Sequence, residues 1–208
     1  MTTLLLVAKE PVPGRVKTRL CPPCSPEQAA GLAAAALQDT VEAVLAVPGC
    51  RPVLVLDGRP PSWLPAHLPV VAQAGGGLDE RLAAAFAGAG DDPALLVGMD
   101  TPQVTAALLG DAARALDDHD AVLGDAADGG WWLLGLRRPD PGLLRGVPTS
   151  RPDTGARQRD RLLAAGHAVA DLPVLRDVDT AADAAAVAAL APQTRFAARW
   201  RAWAGDTA

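Results

Sequence analysis

The sequence predicts an α/β fold in which a mostly parallel sheet carries helices on both of its faces. Short apolar runs of strand length alternate with segments of helical spacing along nearly the whole chain. Half of the 208 residues are hydrophobic and 21% are charged, a globular composition that allows a sizeable core. No apolar run reaches the roughly 20 residues of a membrane helix. We therefore expect a single domain over residues 1–208 and no membrane partner.

The strands are predicted from short apolar runs bounded by Gly, Pro or Asp. In chain order they cover residues 3–8, 51–56, 68–72, 94–97, 121–123, 131–136 and 167–172. The first run has no basic residues before it, which indicates a buried strand rather than an export signal. The chain is therefore expected in the cytoplasm.

The helices are predicted from apolar spacing of about 3.6 residues. They cover residues 26–45, 78–89, 103–116, 154–165, 180–190 and about 194–204. The first begins with a capping box, in which Ser25 can cap and Gln28 completes the pair. The last carries Phe196, Trp200 and Trp203 on one face. That face can pack on its own domain or on a second subunit, so the chain is expected as a monomer or a homodimer.

The loop after the first strand is rich in cations. Ligands of a parallel α/β sheet bind at the carboxyl ends of its strands, so the loops that follow strands matter most for function. This loop contains Lys9, Gly14, Lys17 and Arg19. Glycine lets backbone N–H groups face a ligand, and the cations can neutralise phosphates. It is not a Walker A loop, and the same composition also suits a solvated basic loop.

Two aspartates are candidate metal ligands at the same edge of the sheet. Asp100 follows the strand at 94–97 in the segment GMDTP, and Asp179 lies in the segment DVDT before a helix. Mg²⁺ prefers carboxylate oxygens together with water and substrate phosphates. Each segment could instead cap the helix that follows it. The residues alone leave both interpretations open.

A turn between two predicted strands contains Asp128, Gly129, Gly130 and Trp131. Asp-Gly is a common hairpin signal, so one interpretation is a tight turn with aromatic packing. The other is an acceptor-binding loop in which glycine allows close approach of the backbone. Gln73 precedes a glycine-rich stretch and a helix N-terminus, which favours anions.

Charge and cysteine content narrow the possible functions. The net charge is −5 and the pI is about 5.1, which does not favour a partner that is a nucleic-acid polymer. Three cysteines in a chain without an export signal do not suggest a disulfide framework. Cys21 and Cys24 have redox-motif spacing before a helix N-terminus, but their surroundings are unlike thioredoxin. The sequence has no G-x-S-x-G segment, so it does not predict the catalytic triad of a serine hydrolase.

The order of the motifs resembles a known family. The segments are K-x-P-x-P-G-x-V-K-T-R-L at 9–20, G-x-D-x-P at 98–102, D-G-G-W-x-L-x-G-L at 128–136 and D-V-D-T at 177–180, with Asp183 after the last. They resemble small bacterial glycosyltransferase-like proteins of the nucleotide-diphosphosugar transferase superfamily, some named arsenosugar-biosynthesis glycosyltransferases. The resemblance covers about residues 3–190 and extends to 2-phospholactate guanylyltransferases and molybdenum-cofactor nucleotidyltransferases. It implies the GT-A fold, a Rossmann-like three-layer αβα sandwich with a mostly parallel, mixed sheet.

The resemblance also implies roles for particular residues. The nucleotide and its phosphates would be bound by Ala8, Lys9, Gly14, Lys17, Arg19 and Gln73. Asp100 and Asp179 would hold Mg²⁺ or Mn²⁺. The acceptor site would be shaped by Asp128, Gly129, Gly130 and Trp131. Lys17, Asp100 and Asp128 are the candidate catalytic residues, and Asp128 is our candidate for the group that deprotonates the acceptor.

The activity implied in this way is sugar transfer from a nucleotide-sugar to a small acceptor. Two alternatives stay open: nucleotidyl transfer from an NTP to a phosphorylated small molecule, and nucleotide binding without turnover. The segment that ends in Asp100 offers one carboxylate where glycosyltransferases usually carry Asp-x-Asp. That departure favours nucleotidyl transfer or an atypical metal site.

Overall fold

A mixed sheet of seven strands forms the centre of the structure, a computed structural model that describes residues 1–206. The strands are β1 (Thr2–Lys9), β2 (Cys50–Asp57), β3 (Val70–Ala72), β4 (Ala94–Gly98), β5 (Ala121–Asp125), β6 (Trp131–Leu136) and β7 (Val169–Asp171). They lie in the order β3-β2-β1-β4-β6-β5-β7. All neighbouring pairs are parallel except those of β6, which is antiparallel to β4 and β5. The predicted α/β fold class is therefore confirmed.

Helices cover both faces of this sheet. Within residues 1–206 they are α1 (Pro26–Leu45), α2 (Leu78–Ala87), α3 (Ala106–Asp118), α4 (Thr154–Ala164), α5 (Ala181–Leu190) and α6 (Arg195–Asp206), with short 3₁₀ turns at Thr18–Leu20 and Pro141–Leu143. None of these helices has both the length and the apolar character that would let it cross a membrane.

The alternation of side chains along β1 explains the three layers. Successive strand residues point to opposite faces of a sheet. Leu4 and Leu6 are buried in a cluster with residues of α1 and α3, whereas Leu5 is buried with residues of α2 and α4. The run of apolar residues in β1 therefore fills both sides of the sheet, as expected for a central strand.

Several predicted boundaries differ from the structure, and packing or capping explains the differences in one helix and two strands. The helix predicted from residue 103 begins at Ala106, because the hydroxyl of Thr105 caps it by accepting a hydrogen bond from the backbone N–H of Leu108 at 3.2 Å. The strand predicted at 68–72 is only Val70–Ala72, and the one predicted at 167–172 is only Val169–Asp171. Both are edge strands that pair on one side, so their ends have few partners.

The last helix packs on the same chain. Phe196 and Trp200 of α6 are buried in a third cluster with residues of α1 and α5, and Trp203 packs against it. The rings of Trp200 and Trp203 lie 4.7 Å apart between centroids. The carboxylate of Asp39 on α1 accepts hydrogen bonds from the backbone N–H groups of Arg195 and Phe196, at 3.0 and 2.8 Å. A side chain of α1 therefore caps the beginning of α6.

Candidate functional site

A cleft of about 570 Å³ opens where β1, β4 and β5 end, at the carboxyl edge of the sheet. Most of the residues singled out from the sequence line it: Ala8, Lys9, Lys17, Arg19, Gln73, Asp100, Asp128, Gly130, Trp131 and Asp179. Gly14 and Gly129 do not. Arg81, Arg151 and Asp177 also line the cleft, and none of the three was predicted as a site residue.

The segment between β7 and α5 brings the separate motifs together. The backbone N–H of Val178 donates to the carbonyl oxygen of Asp100 at 2.9 Å. Further back in the segment, the N–H of Leu175 donates to Asp125 O at 3.2 Å, and Nε1 of Trp132 donates to Pro173 O at 3.0 Å. The segment therefore runs along the ends of β4 and β5 and the beginning of β6, and it presents its aspartates to the cleft.

The centre of the cleft is a contact between one lysine and two aspartates. Nζ of Lys17 lies 2.6 Å from Oδ1 of Asp100 and 3.4 Å from Oδ1 of Asp179, and it also donates to the carbonyl oxygen of Val178. Nη1 of Arg19 lies 2.8 Å from Oδ2 of Asp179. The side chain of Lys17 is 9% exposed and that of Arg19 is 70% exposed. Lys17 is therefore the buried cation of the cluster, and Arg19 lies at its rim.

The backbone of Lys17 is held in an unusual conformation. Its φ of 48° and ψ of 38° lie in the left-handed region, just before the 3₁₀ turn at Thr18–Leu20. This region costs a residue with a side chain roughly 1–3 kcal/mol and persists only where the surroundings impose it. Val16, buried under the loop, anchors the chain directly before this turn. The strained backbone of Lys17 is therefore part of the loop conformation that places Nζ between the two aspartates.

Electrostatics within the cluster shift two ionisation equilibria. Burial opposes the charge on Lys17, but attraction and a hydrogen bond from Asp100, with further attraction from Asp179 and Asp177, raise the pKa of Lys17 above its usual value. Burial, followed by repulsion from Asp100 and Asp128, raises the pKa of Asp177 to about 7 against the opposing effect of Lys17. The cluster therefore contains more negative charge than its lysine neutralises.

The structure tests the cap interpretation of the two aspartate segments, which is confirmed for Thr180 in the segment DVDT and is wrong for the segment GMDTP. Thr105 caps α3, so Asp100 does not serve as that cap. Thr180 caps α5 in a reciprocal capping box with Asp183, so Asp179 does not cap that helix either. Both carboxylates instead face the cleft. Their position suits metal or phosphate chemistry at this edge, and the metal role of the two aspartates stays a prediction.

The turn after β5 is a tight hairpin packed against α4. Gly129 has a φ of +88°, and a Cβ added there would lie 1.9 Å from the carbonyl oxygen of Pro152. The N–H of Gly155 donates to Gly129 O at 2.8 Å. The close backbone approach at Gly129 is therefore to the beginning of α4. Oδ1 of Asp128 accepts from the N–H of Gly130 at 2.8 Å, and the acceptor role of this turn stays a prediction.

On the other side of the cleft, Gln73 and Arg81 form a pair. Nε2 of Gln73 donates to Ala8 O at 2.7 Å and to Val55 O at 3.2 Å, and its Oε1 accepts from Nη1 of Arg81 at 3.2 Å. Arg81 lies in the first turn of α2, inside a segment that reads as an ordinary amphipathic helix. An arginine at the positive end of a helix is electrostatically unfavourable. That was the only sequence signal that could have singled it out.

The carboxylates of the cleft suit one divalent cation whose remaining ligands come from water and a bound substrate. Within residues 1–206, no group of three or more His, Cys, Asp or Glu side chains is arranged as a metal site. Asp100 and Asp179 nevertheless both contact one ammonium group, so they lie within reach of a single cation. Mg²⁺ is commonly held by one or two carboxylates, with water and substrate phosphates as the remaining ligands.

The cysteines lie outside this chemistry. All three are free. Cys24 is buried with residues of α1, α5 and α6, and burial raises the pKa of its thiol. A reactive thiol needs a lowered pKa and solvent access, so the position of Cys24 does not favour a redox role.

Comparisons with known proteins agree on a family and a fold. The family model described as "Uncharacterized protein conserved in bacteria (DUF2064)" matches residues 31–151. The crystal structure of a "putative nucleotide-diphospho-sugar transferase" from Desulfovibrio desulfuricans G20 is 29% identical, with a TM-score of 0.81 over 88% of this chain and 84% of that one. No protein of curated function matches the sequence.

Two more distant structures share the fold. CMP:2-keto-3-deoxy-manno-octonic acid synthetase, complexed with CTP, is 16% identical, with a TM-score of 0.56 over 92% of this chain and 98% of that one. Rv0371c from Mycobacterium tuberculosis H37Rv, in complex with manganese, is 22% identical, with a TM-score of 0.52 over 89% and 97%. At such identities the likeness extends to the fold alone.

Proposed function

The chain belongs to the DUF2064 family, and we propose that it transfers a sugar from a nucleotide-diphosphosugar to a small acceptor with the help of Mg²⁺ or Mn²⁺. The observation that carries this proposal is the buried Lys17 between Asp100 and Asp179 in a cleft rimmed by further cations. The Desulfovibrio structure, the most similar of those described above, bears the name of a nucleotide-diphospho-sugar transferase. The manganese of one distant structure also suits a metal-dependent transfer, and the CTP of the other suits a nucleotide ligand in either kind of transfer.

Each charged group has a place in this mechanism. Lys17, Arg19 and Lys9 bind the diphosphate and stabilise the negative charge that develops on it as the bond to the sugar breaks. Asp100 and Asp179 would hold the divalent cation, which supplies further charge stabilisation at the diphosphate. Because these groups are already in position, little reorganisation is needed at the moment of transfer.

The acceptor would lie on the side of the cleft formed by β5 and β6. Trp131 and Asp128 line this side, and Trp131 offers an apolar face on which a small acceptor can rest. Oδ2 of Asp128 would take the proton of the attacking hydroxyl group, because Oδ1 is engaged by the N–H of Gly130.

A thermal-shift screen followed by a product assay tests this function. The ligands are nucleoside diphosphates, UDP-glucose, GDP-mannose and the four NTPs, each with and without Mg²⁺ or Mn²⁺. A ligand that binds the folded state raises the melting temperature. We expect stabilisation by a nucleoside diphosphate or its sugar only with metal, and its loss in Asp100→Asn. Asp117→Asn, at an exposed position of α3, is the matched control and should behave as the parent chain.

Nucleotidyl transfer is the second candidate, and one feature of the site favours it. The end of β4 offers the single carboxylate of Asp100, directly paired with the lysine of the first loop. In this reaction a phosphorylated small molecule attacks the α-phosphate of an NTP, and pyrophosphate leaves.

The two products separate the candidates. Pyrophosphate release from an NTP with a phosphorylated acceptor supports nucleotidyl transfer, whereas nucleoside diphosphate release from a nucleotide-sugar supports sugar transfer. Tight nucleotide binding that needs neither metal nor Asp100, and that yields neither product, would indicate a binding protein without turnover. The absence of any nucleotide-induced shift would contradict all three.

A further inference from the structure

The ammonium of Lys17 uses all of its hydrogen-bond donors within the protein. Nζ lies 2.6 Å from Oδ1 of Asp100 and 3.4 Å from Oδ1 of Asp179, and it donates to the carbonyl oxygen of Val178. An ammonium group has three N–H bonds and no acceptor, so three oxygens saturate it. In this arrangement Lys17 has no donor left for the diphosphate that the proposed function assigns to it. Its ammonium must therefore leave the aspartates when that ligand binds.

The same contacts oppose the binding of a divalent cation by the two aspartates. Oδ1 of Asp179 contacts Nζ of Lys17, and its Oδ2 lies 2.8 Å from Nη1 of Arg19, so both oxygens of this carboxylate are engaged. Mg²⁺ binds carboxylate oxygens at about 2.0–2.1 Å, and an ammonium that shares those oxygens with a metal ion repels it. A metal ion held by Asp100 and Asp179 together therefore has to displace the ammonium of Lys17 that lies between them.

Displacing the ammonium of Lys17 is unfavourable unless another anion receives it. The side chain is 9% exposed, so salt and water screen its contacts poorly. A metal ion that binds alone takes both aspartates and leaves a buried ammonium without a counter-ion. A diphosphate that binds alone draws the ammonium away and leaves two unpaired carboxylates facing its phosphates. Each ligand therefore removes the obstacle to the other, and such coupling is reciprocal.

The ammonium can move without a rearrangement of the fold. Lys17 lines the cleft, and the four-carbon stem of a lysine is flexible. The backbone on either side is anchored, by buried Val16 before the residue and by the 3₁₀ turn at Thr18–Leu20 after it. Rotation of the side chain about its own bonds is therefore enough to carry the ammonium from the aspartates towards a ligand in the cleft.

We propose that Lys17 acts as an internal substitute for the divalent cation: its ammonium holds Asp100 and Asp179 until a diphosphate draws it away, and both aspartates are then released to the metal. This inference rests on the nucleotide and metal binding proposed above. The protein should therefore bind a metal ion weakly on its own and bind metal and nucleotide cooperatively. Without nucleotide, loss of the lysine should strengthen metal binding, the opposite of what a lysine that assists the metal would give.

The first test is Mn²⁺ binding without nucleotide, measured as a Kd from the electron paramagnetic resonance signal of free Mn²⁺. Lys17→Met should bind Mn²⁺ about tenfold or more tightly than the parent chain, a change within the usual range of coupling between two sites. Adding Asp100→Asn to this variant should remove the gain. Lys9→Met is the matched control, because Lys9 is exposed and lines the same cleft. Loss of its charge should change the Kd less than about threefold.

The second test uses the parent chain alone, which contains only two lysines, Lys9 and Lys17. An amine-reactive acetylating reagent labels exposed lysines, and mass spectrometry gives the rate at each one. Lys17 should react slowly in the metal-free protein and faster as Mn²⁺ displaces its ammonium, whereas the rate at Lys9 should stay constant. With both Mn²⁺ and a nucleoside diphosphate, Lys17 should be protected again, because its ammonium then contacts the phosphates.

Three results would overturn the inference. The first is a Lys17→Met variant that binds Mn²⁺ no more tightly than the parent chain or Lys9→Met. The second is tighter binding in Arg19→Met but not in Lys17→Met, which would make Arg19 the group that the metal displaces. The third is a rate of acetylation at Lys17 that saturating Mn²⁺ does not change. If nucleotide binding still requires metal and Asp100 in these cases, the proposed function stands without this inference. If neither metal nor nucleotide binds, both fail.

Discussion

Nζ of Lys17 lies 2.6 Å from Oδ1 of Asp100, and this contact joins the loop after β1 to the loop after β4. The lysine is buried, whereas the aspartate is open to the cleft. Asp177 and Asp179 add negative charge from a third segment of the chain. One ammonium therefore balances several carboxylates, and the stability and the ligand affinity of the cleft depend on it.

Replacing Lys17 by methionine should destabilise the protein and abolish turnover. The change leaves Asp100, Asp177 and Asp179 close together without their buried cation. Because these carboxylates are partly solvated, we expect a loss of about 1–2 kcal/mol rather than the larger value of a fully buried pair. Turnover should fall roughly 10²–10³-fold, the usual effect of removing a preorganised charge. Urea unfolding and the product assay measure the two effects.

Arg19→Met is the control for Lys17→Met. Arg19 contacts the same Asp179, but its side chain is mostly exposed. Its removal should change the free energy of unfolding by less than about 0.5 kcal/mol. Equal destabilisation by the two variants would show that burial of Lys17 does not matter, which contradicts the prediction.

Asp177→Asn should stabilise the metal-free protein, and increasingly so as the pH rises. The pKa of Asp177 is about 7 in the folded protein against 3.8 for a free side chain. Its contribution to stability is therefore fully present below about pH 4 and is lost as the pH rises towards 7. Asparagine cannot ionise and removes this loss. The difference in melting temperature between variant and parent should be small at pH 4.5 and largest near pH 8.

The measurement for Asp177→Asn is a melting curve at each pH in the presence of a chelator. Asp117→Asn, at an exposed position on α3, is the matched control, and its melting temperature should follow the parent at every pH. A difference for Asp177→Asn that is constant or that shrinks towards pH 8 would show that this carboxyl group is not held protonated by its surroundings.

Local patterns were enough to predict the architecture. The apolar run of β1 and the capping box of Ser25 and Gln28 depend on neighbouring residues, and the structure contains both. The order of the motifs also placed Lys17, Asp100 and Asp179 at one edge of the sheet, because the carboxyl ends of parallel strands meet there. These features follow from spacing along the chain.

Features that depend on tertiary contacts could not be predicted. Several residues before α3 are good caps, and only the path of the chain makes Thr105 the one that is used. Gly129 looks like a turn residue, and nothing in its neighbourhood indicates that Pro152 lies against it. Arg81 lies in an ordinary helix, and its partners Gln73 and Asp57 come from the ends of two strands. Each of these contacts joins residues whose spacing along the chain follows neither the helix nor the strand period.

Gly129→Ala should destabilise the protein more than Gly146→Ala. Both glycines have positive φ, +88° and +76°, so an added Cβ strains the backbone at both positions. A Cβ at Gly129 would also overlap the carbonyl oxygen of Pro152, whereas at Gly146 nothing lies within 4 Å. We expect a loss of about 1 kcal/mol for Gly146→Ala and about 3 kcal/mol or more for Gly129→Ala. Urea unfolding gives both values, and equal losses would contradict the close packing of the hairpin on α4.

Asp39→Ala should weaken the docking of α6 on α1. The carboxylate of Asp39 accepts hydrogen bonds from the backbone N–H groups of Arg195 and Phe196, and its side chain is only 8% exposed. Removing such a cap leaves two backbone donors at the start of α6 without their protein partner. We expect a loss of about 1–2 kcal/mol in the free energy of unfolding. Trp200 and Trp203 are two of the five tryptophans of the chain, and the midpoint of the tryptophan fluorescence in urea should shift together with that of the circular dichroism signal.

Glu42→Ala separates capping from simple charge pairing in this region. Glu42 pairs with the side chain of Arg195 but its own side chain is mostly exposed, so its removal should change the stability by less than about 0.5 kcal/mol. Adding salt should reduce that small effect further and should hardly change the effect of Asp39→Ala, since screening acts mainly on exposed charges. If Asp39→Ala were as mild and as salt-sensitive as Glu42→Ala, Asp39 would act as a surface charge, and the beginning of α6 would need another explanation for its place on α1.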